Sequence, residues 1–133
     1  MIVLDTNVVV RIITDDDPAQ VKEARALLAA NRCVVPITVV LEASWVLQTS
    51  YQLPVSVVVS SLRQFLALDQ VEAPFLSAIE QALRDYERGL DFADAPHRAL
   101  APPNAEGLAT FDQAFIDRAR DTEGCPVRHP ADA

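Results

Sequence analysis

Four acidic residues, far apart in the chain, occupy positions from which their carboxylates can converge. Asp5 directly follows the apolar run Ile2-Val3-Leu4. Glu42 lies one turn into a helical pattern, within Val39-Val40-Leu41-Glu42-Ala43-Ser44-Trp45-Val46-Leu47. Asp94 opens a short helical segment, and Asp112 sits two residues after Leu108-Ala109-Thr110. In parallel α/β sheets, ligands bind outside the carboxyl ends of the strands. Asp5 and Asp112 then belong to one rim, Glu42 to the helix after the second strand, and Asp94 to a helix feeding the last. Carboxylates gathered at close range raise one another's pKa. A hard divalent cation such as Mg²⁺ or Mn²⁺ takes oxygen ligands and relieves that repulsion. A centre of this kind suits hydrolysis of a phosphodiester.

Each acid also has an ordinary reading by itself. Asp5, Asp94 and Asp112 all stand where an aspartate caps a helix. Glu42 is more unusual, because an acid in so apolar a helix start is seldom buried without a partner. A solvated stripe on an amphipathic helix would equally explain it. Spacing alone leaves the cluster and the caps both open.

The elements that must position these residues alternate between short β-like runs and longer helical patterns, which implies a parallel α/β sheet. Ile2-Val3-Leu4 reads as a buried strand, with Thr6-Asn7 capping a helix through Ile13. Asp17-Pro18 with Gln20 forms a capping-box pattern for the next helix, whose inner face is Val21, Ala24, Leu27 and Leu28. Cys33-Val34-Val35 is a second strand, stopped by Pro36, and Thr38 is the expected cap of the helix carrying Glu42. Val55, Val58, Val59, Leu62, Phe65 and Leu66 form a helical stripe after Pro54. Val71 to Ala73 reads as a short strand. Leu76, Ile79, Leu83 and Tyr86 repeat at helical spacing, with Gly89 suited to a left-handed cap. A final helix starts at Asp112 with Phe115, Ile116 and Ala119 inward, and Val127 is placed to close a sheet edge.

The 133 residues, half of them apolar and 23% charged, suit one globular domain spanning 1–133. No apolar run reaches the roughly 18 residues of a membrane span. No basic region precedes an apolar stretch at the N-terminus, so the expected compartment is the cytoplasm. Cys33 and Cys125 lie in no motif and read as reduced, partly buried thiols. His97 and His129 have no ligand partners at useful spacing and read as surface residues. A net charge of −8 argues against a broadly basic nucleic-acid surface.

With these residues in view, the chain resembles PIN domains. Val3-Leu4-Asp5-Thr6-Asn7-Val8 is similar to the family's opening signature. Glu42 in its apolar helix, Gly89-Leu90-Asp91-Phe92-Ala93-Asp94-Ala95 and Ala109-Thr110-Phe111-Asp112 match later blocks in order, over nearly the whole chain. Size and simplicity resemble the toxin nucleases of VapBC toxin–antitoxin pairs. The resemblance implies a three-layer α/β fold, with a central parallel sheet of about four or five strands flanked by helices. It implies a Mg²⁺- or Mn²⁺-dependent endoribonuclease that leaves a 5′-phosphate and a 3′-hydroxyl. Asp5, Glu42, Asp94 and Asp112 match the acidic quartet, and Asn7 and Thr110 match polar positions beside it, where they would orient Asp5 and Asp112. Asp91 is a weaker candidate that suits a helix cap, and Asp117 suits an exposed face. Pro96 departs from the apolar residue usual there, and Pro102-Pro103 from the usual helix end, which bears on the setting of Asp94.

The implied partners are an RNA substrate, an antitoxin protein and a second copy of the chain. Arg11, Arg25, Arg63, Arg84, Arg88 and Arg98 are the cations available to RNA. Arg84 and Arg88 share a helix face, but Asp85 and Glu87 beside them make it a mixed, solvated one. Two other classes compete. An aspartate-nucleophile phosphohydrolase needs a second aspartate two positions after the first, where this chain has Asn7. A non-catalytic binding module would not need all four acids.

Overall fold

Strands of only two paired residues, set between longer helices, carry the candidate site. The computed structural model describes residues 1–132. Tight residue contacts divide them into two units, Met1–Leu76 and a second beginning at Ser77. Among the described residues no helix is long and apolar enough to cross a membrane.

In the first unit, β1 (Ile2–Val3), β2 (Cys33–Val34) and β3 (Val71–Glu72) form a parallel sheet in that order. Ile2 pairs with Cys33 and Cys33 with Val71. Hydrogen bonds extend the ladder past the paired residues, Leu4 N to Val34 O at 2.9 Å and Val35 N to Glu72 O at 2.8 Å. The sheet therefore reaches Leu4, the residue before Asp5. The first strand is less buried than its apolar sequence implies: Leu4 is enclosed, but Ile2 and Val3 are exposed. The reason is its place at the edge of the sheet, whereas the central β2 buries Cys33 and its neighbour Val35.

Four helices accompany this sheet: α1 (Thr6–Thr14), α2 (Pro18–Ala30), α3 (Ile37–Thr49) and α4 (Val55–Leu66). Asp17 caps α2 by accepting from Gln20 N at 3.1 Å, with Pro18 in the first turn. The Gln20 side chain does not return the bond in the manner of a capping box; its Oε1 accepts from Arg11 Nε at 2.7 Å. The expected cap at Thr38 is also absent, because α3 begins at Ile37 behind Pro36 and has no side-chain cap. Proline fixes φ and suits a helix start without any side-chain acceptor. The α4 stripe is as read, with Val58, Val59, Leu62 and Phe65 buried.

The second unit carries α5 (Leu76–Glu87) from its second residue onward, α6 (Ala95–Ala99), β4 (Leu108–Ala109), α7 (Gln113–Ala119) and β5 (Val127–Arg128), then a 3₁₀ turn at Pro130–Asp132. β4 and β5 pair in parallel, Leu108 with Val127. The five strands thus form two parallel sheets of three and two, rather than one continuous sheet. The fold class is α/β, as expected for a PIN-like chain. Gly89 has φ +107°, the left-handed conformation predicted for it.

Candidate functional site

Asp5 occupies the junction where β1 turns into α1. Its backbone is extended, its Oδ1 accepts from Thr6 N at 2.8 Å, and its carbonyl accepts from Val8 N and Val9 N. The cap of α1 is therefore Asp5 itself, not the Thr6-Asn7 pair. One carboxylate oxygen is spent on the cap and the other is not. On α3, the buried face is Val40, Ala43, Ser44 and Leu47, spaced i, i+3, i+4, i+7. Glu42 falls off that stripe and is exposed, so it is not a buried orphan charge. Because α3 packs against α1, Glu42 and Asp5 line one recess of about 300 Å³, together with Asn7, Arg11 and Tyr51. Thr6 belongs to the same wall, and its buried Oγ1 has no protein partner among the described residues.

A polar network braces this recess. Arg11 Nη1 donates to Tyr51 Oη at 2.9 Å and to Asp16 Oδ1 at 3.2 Å, and Tyr51 Oη donates to Asp16 Oδ2 at 2.6 Å. The Tyr51 hydroxyl holds the Asp16 carboxyl below its usual range, with help from Thr14 and Arg11. Sequence reading passes over Tyr51 and Asp16, since nothing in a turn and a loop tyrosine 35 positions apart signals that they meet.

In the second unit, Asp94 precedes α6 and makes no capping bond with its side chain. Burial holds its carboxyl above the usual aspartate range, and the charges of Asp91 and Asp112 push it the same way; His97 and Arg118 oppose them. Asp91, ranked low from sequence, is thus an electrostatic neighbour of Asp94, while its own Oδ1 accepts from Ala93 N at 3.0 Å. Asp112 caps α7 through Phe115 N at 3.1 Å. Thr110, just beyond β4, accepts from Asp112 N at 3.1 Å, so it steadies the Asp112 backbone rather than its carboxylate. Asp117 faces solvent and binds Arg120 and Gln113, as expected.

Two further expectations need correction. Arg98 is not available to RNA, and Asp85 is not on a solvated face. Arg98 is 3% exposed and Asp85 0%, and they pair at 3.5 Å. Arg98 also donates to Cys125 O at 2.8 Å, Thr122 Oγ1 at 2.7 Å and Thr122 O at 3.0 Å. Burial pushes the Asp85 carboxyl up, against the pull of Arg98 and the Gln81 amide. The available signal was Asp85 lying three residues after Ala82, at the edge of the buried face of α5. Gly124 makes room for this arrangement: it has φ +127°, and a Cβ there would stand 3.0 Å from Arg98 Cζ. Gly124→Ala is therefore expected to cost about 2 kcal/mol in urea unfolding, from backbone strain alone and more from the crowding of a buried arginine.

A match to the PIN domain family runs over residues 2–121. The chain belongs to the PIN domain family. No curated protein is similar enough to this chain to count as a match. PIN domains are generally nucleases that use divalent metal ions, so the acids of this PIN domain must be tested against that chemistry. Among the described residues, no three His, Cys, Asp or Glu side chains already form an ion-binding cluster. The donors nevertheless fit a hard cation. All are carboxylate oxygens, and Asp5 and Asp112 each keep an oxygen beyond their cap bond. Asp94 has its carboxyl raised by burial and by the charges of Asp91 and Asp112, which a cation would offset.

Proposed function

We propose that this PIN domain is a Mg²⁺- or Mn²⁺-dependent endoribonuclease, the toxin half of a type II toxin–antitoxin pair. It would act as a homodimer and be restrained by an antitoxin protein. The reading makes Asp5, Glu42, Asp94 and Asp112 the metal-holding acids, with Asn7 and Thr110 beside them. The observation that carries it is the recess that Asp5 and Glu42 line from separate segments, supported in the second unit by the Asp94 carboxyl, which burial, Asp91 and Asp112 raise. A structural cap gains nothing from that placement, whereas a cation ligand does.

A bound divalent ion would neutralise the acids, stabilise charge on the phosphoryl oxygens and acidify an attacking water. The residues of the chain supply position. Asp5 is fixed at the strand–helix junction by its own cap bond, and Asp112 is fixed likewise at α7. Glu42, exposed on α3, keeps its carboxylate clear of the core. With a net charge of −8, the protein attracts RNA weakly and binding falls with added salt.

The test is incubation with a panel of structured RNAs in Mn²⁺, Mg²⁺ or a chelator. The expected result is cleavage with either ion, products bearing 5′-phosphates, and none with chelator. RNA binding without cleavage under every condition would instead mark a non-catalytic binding module. Cleavage that survives chelation would defeat the metal reading outright.

A further inference from the structure

We infer that Arg11 holds a phosphate of the substrate RNA at the recess shared by Asp5 and Glu42, and that Asp16, Gln20 and Tyr51 position it there. The inference rests on the nuclease reading and names a group that reading lacks. Polyanionic RNA must come to a wall bearing two carboxylates, in a chain of charge −8. Arg11 is the cation among the residues lining that recess.

Two of its three guanidinium nitrogens are held and the third is open. Nε donates to Gln20, and Nη1 donates to Asp16 and Tyr51. Nη2 has no hydrogen-bond partner among the described residues, so two N–H donors remain. An arginine whose fork is already oriented loses less freedom when it binds an oxyanion, and its planar geometry suits phosphate. Asp16 offsets part of the charge through an ion pair at 3.2 Å, but it engages Nη1 and leaves the Nη2 donors open. Arg11 and Asn7 also line the adjoining groove of about 390 Å³ along α1 and α2. Arg11 therefore stands where the two depressions meet, a place a polymer backbone must pass to occupy both.

The experiment measures kcat and KM on a labelled single-stranded RNA with Mn²⁺, across a salt series, for the wild type, Arg11→Gln, Arg11→Lys and Tyr51→Phe. Arg11→Gln is expected to raise KM about tenfold, the worth of one hydrogen bond to a charged group. It should leave kcat near its original value and make the log–log salt slope shallower by about 0.7. Arg11→Lys should restore the slope but only part of KM. Tyr51→Phe should raise KM modestly at unchanged slope. A purely structural role would lower kcat and the thermal midpoint together and leave the slope untouched, and that result overturns the inference. If Arg11→Gln cleaves with unchanged KM and slope, the inference alone falls. If the wild type neither binds nor cleaves RNA, the nuclease reading falls and takes the inference with it.

Discussion

Replacing Asp5 or Asp94 by asparagine is expected to abolish metal-dependent RNA cleavage while leaving the protein folded. The loss should exceed about 100-fold in kcat/KM, since groups that merely orient a metal ligand are already worth 10–100-fold. Folding should survive because the structural work of these residues does not need a charge. In Asp5→Asn the side-chain amide oxygen can accept from Thr6 N as the carboxylate does. Asp94 makes no capping bond to lose. The two variants should nevertheless differ in stability. The folded protein holds the Asp94 proton more tightly than the unfolded chain does, because burial and the charges of Asp91 and Asp112 raise its pKa. A raised carboxyl stabilises the fold below the unfolded pKa, and that contribution is lost as pH climbs through the folded value. At neutral pH and without metal, Asp94→Asn should therefore unfold at a higher temperature than the wild type, and its midpoint should depend less on pH. Thermal melts with and without Mn²⁺ check this, and added Mn²⁺ should stabilise the wild type but not the variant. Wild-type cleavage rates in both variants would refute the assignment of these acids.

The sequence made visible those parts of the fold set by local chemistry. Gly89, the α4 stripe, the Asp17-Pro18 helix start and the α/β alternation are each decided within a few residues. Where the reading went astray, a distant residue had intervened. Gln20 is a good capping-box residue until Arg11, nine positions earlier, takes its oxygen. Ile2 and Val3 look like a buried strand until β1 is seen at a sheet edge. The division of five strands into two sheets depends on which ladders close, and periodicity carries no information about that. Of the site, Asp5 and Glu42 line one recess, and the charge of Asp112 acts on Asp94. The elevated standing of Asp91 is a matter of through-space charge, and only coordinates reveal it.

The buried pair explains how the five-residue helix α6 holds its place. So short a helix has almost no stability of its own, even with Pro96 in the first turn, where proline suits a helix start. Arg98 compensates by reaching from α6 to Thr122 and Cys125 through three hydrogen bonds, and to Asp85 on α5. Asp94 lies one turn earlier, its carbonyl accepting from Arg98 N, so whatever fixes Arg98 also fixes the candidate ligand. Arg98→Met is accordingly expected to cost about 3–5 kcal/mol, because it strands a buried carboxylate. The penalty should depend on pH. Burial already holds the Asp85 carboxyl up, and Arg98 is the main charge opposing it. Without that cation the pKa climbs further, so the variant should lose more stability as pH rises from the aspartate range toward neutrality. Asp85→Leu combined with Arg98→Met should recover much of the loss, since a well-packed apolar pair can match a buried ionic one. Chemical denaturation of the single and double variants at acid and neutral pH measures each quantity. A penalty below about 1 kcal/mol, equal at both pH values, would mean that the pair behaves like a solvent-screened surface contact and that α6 is held by packing alone.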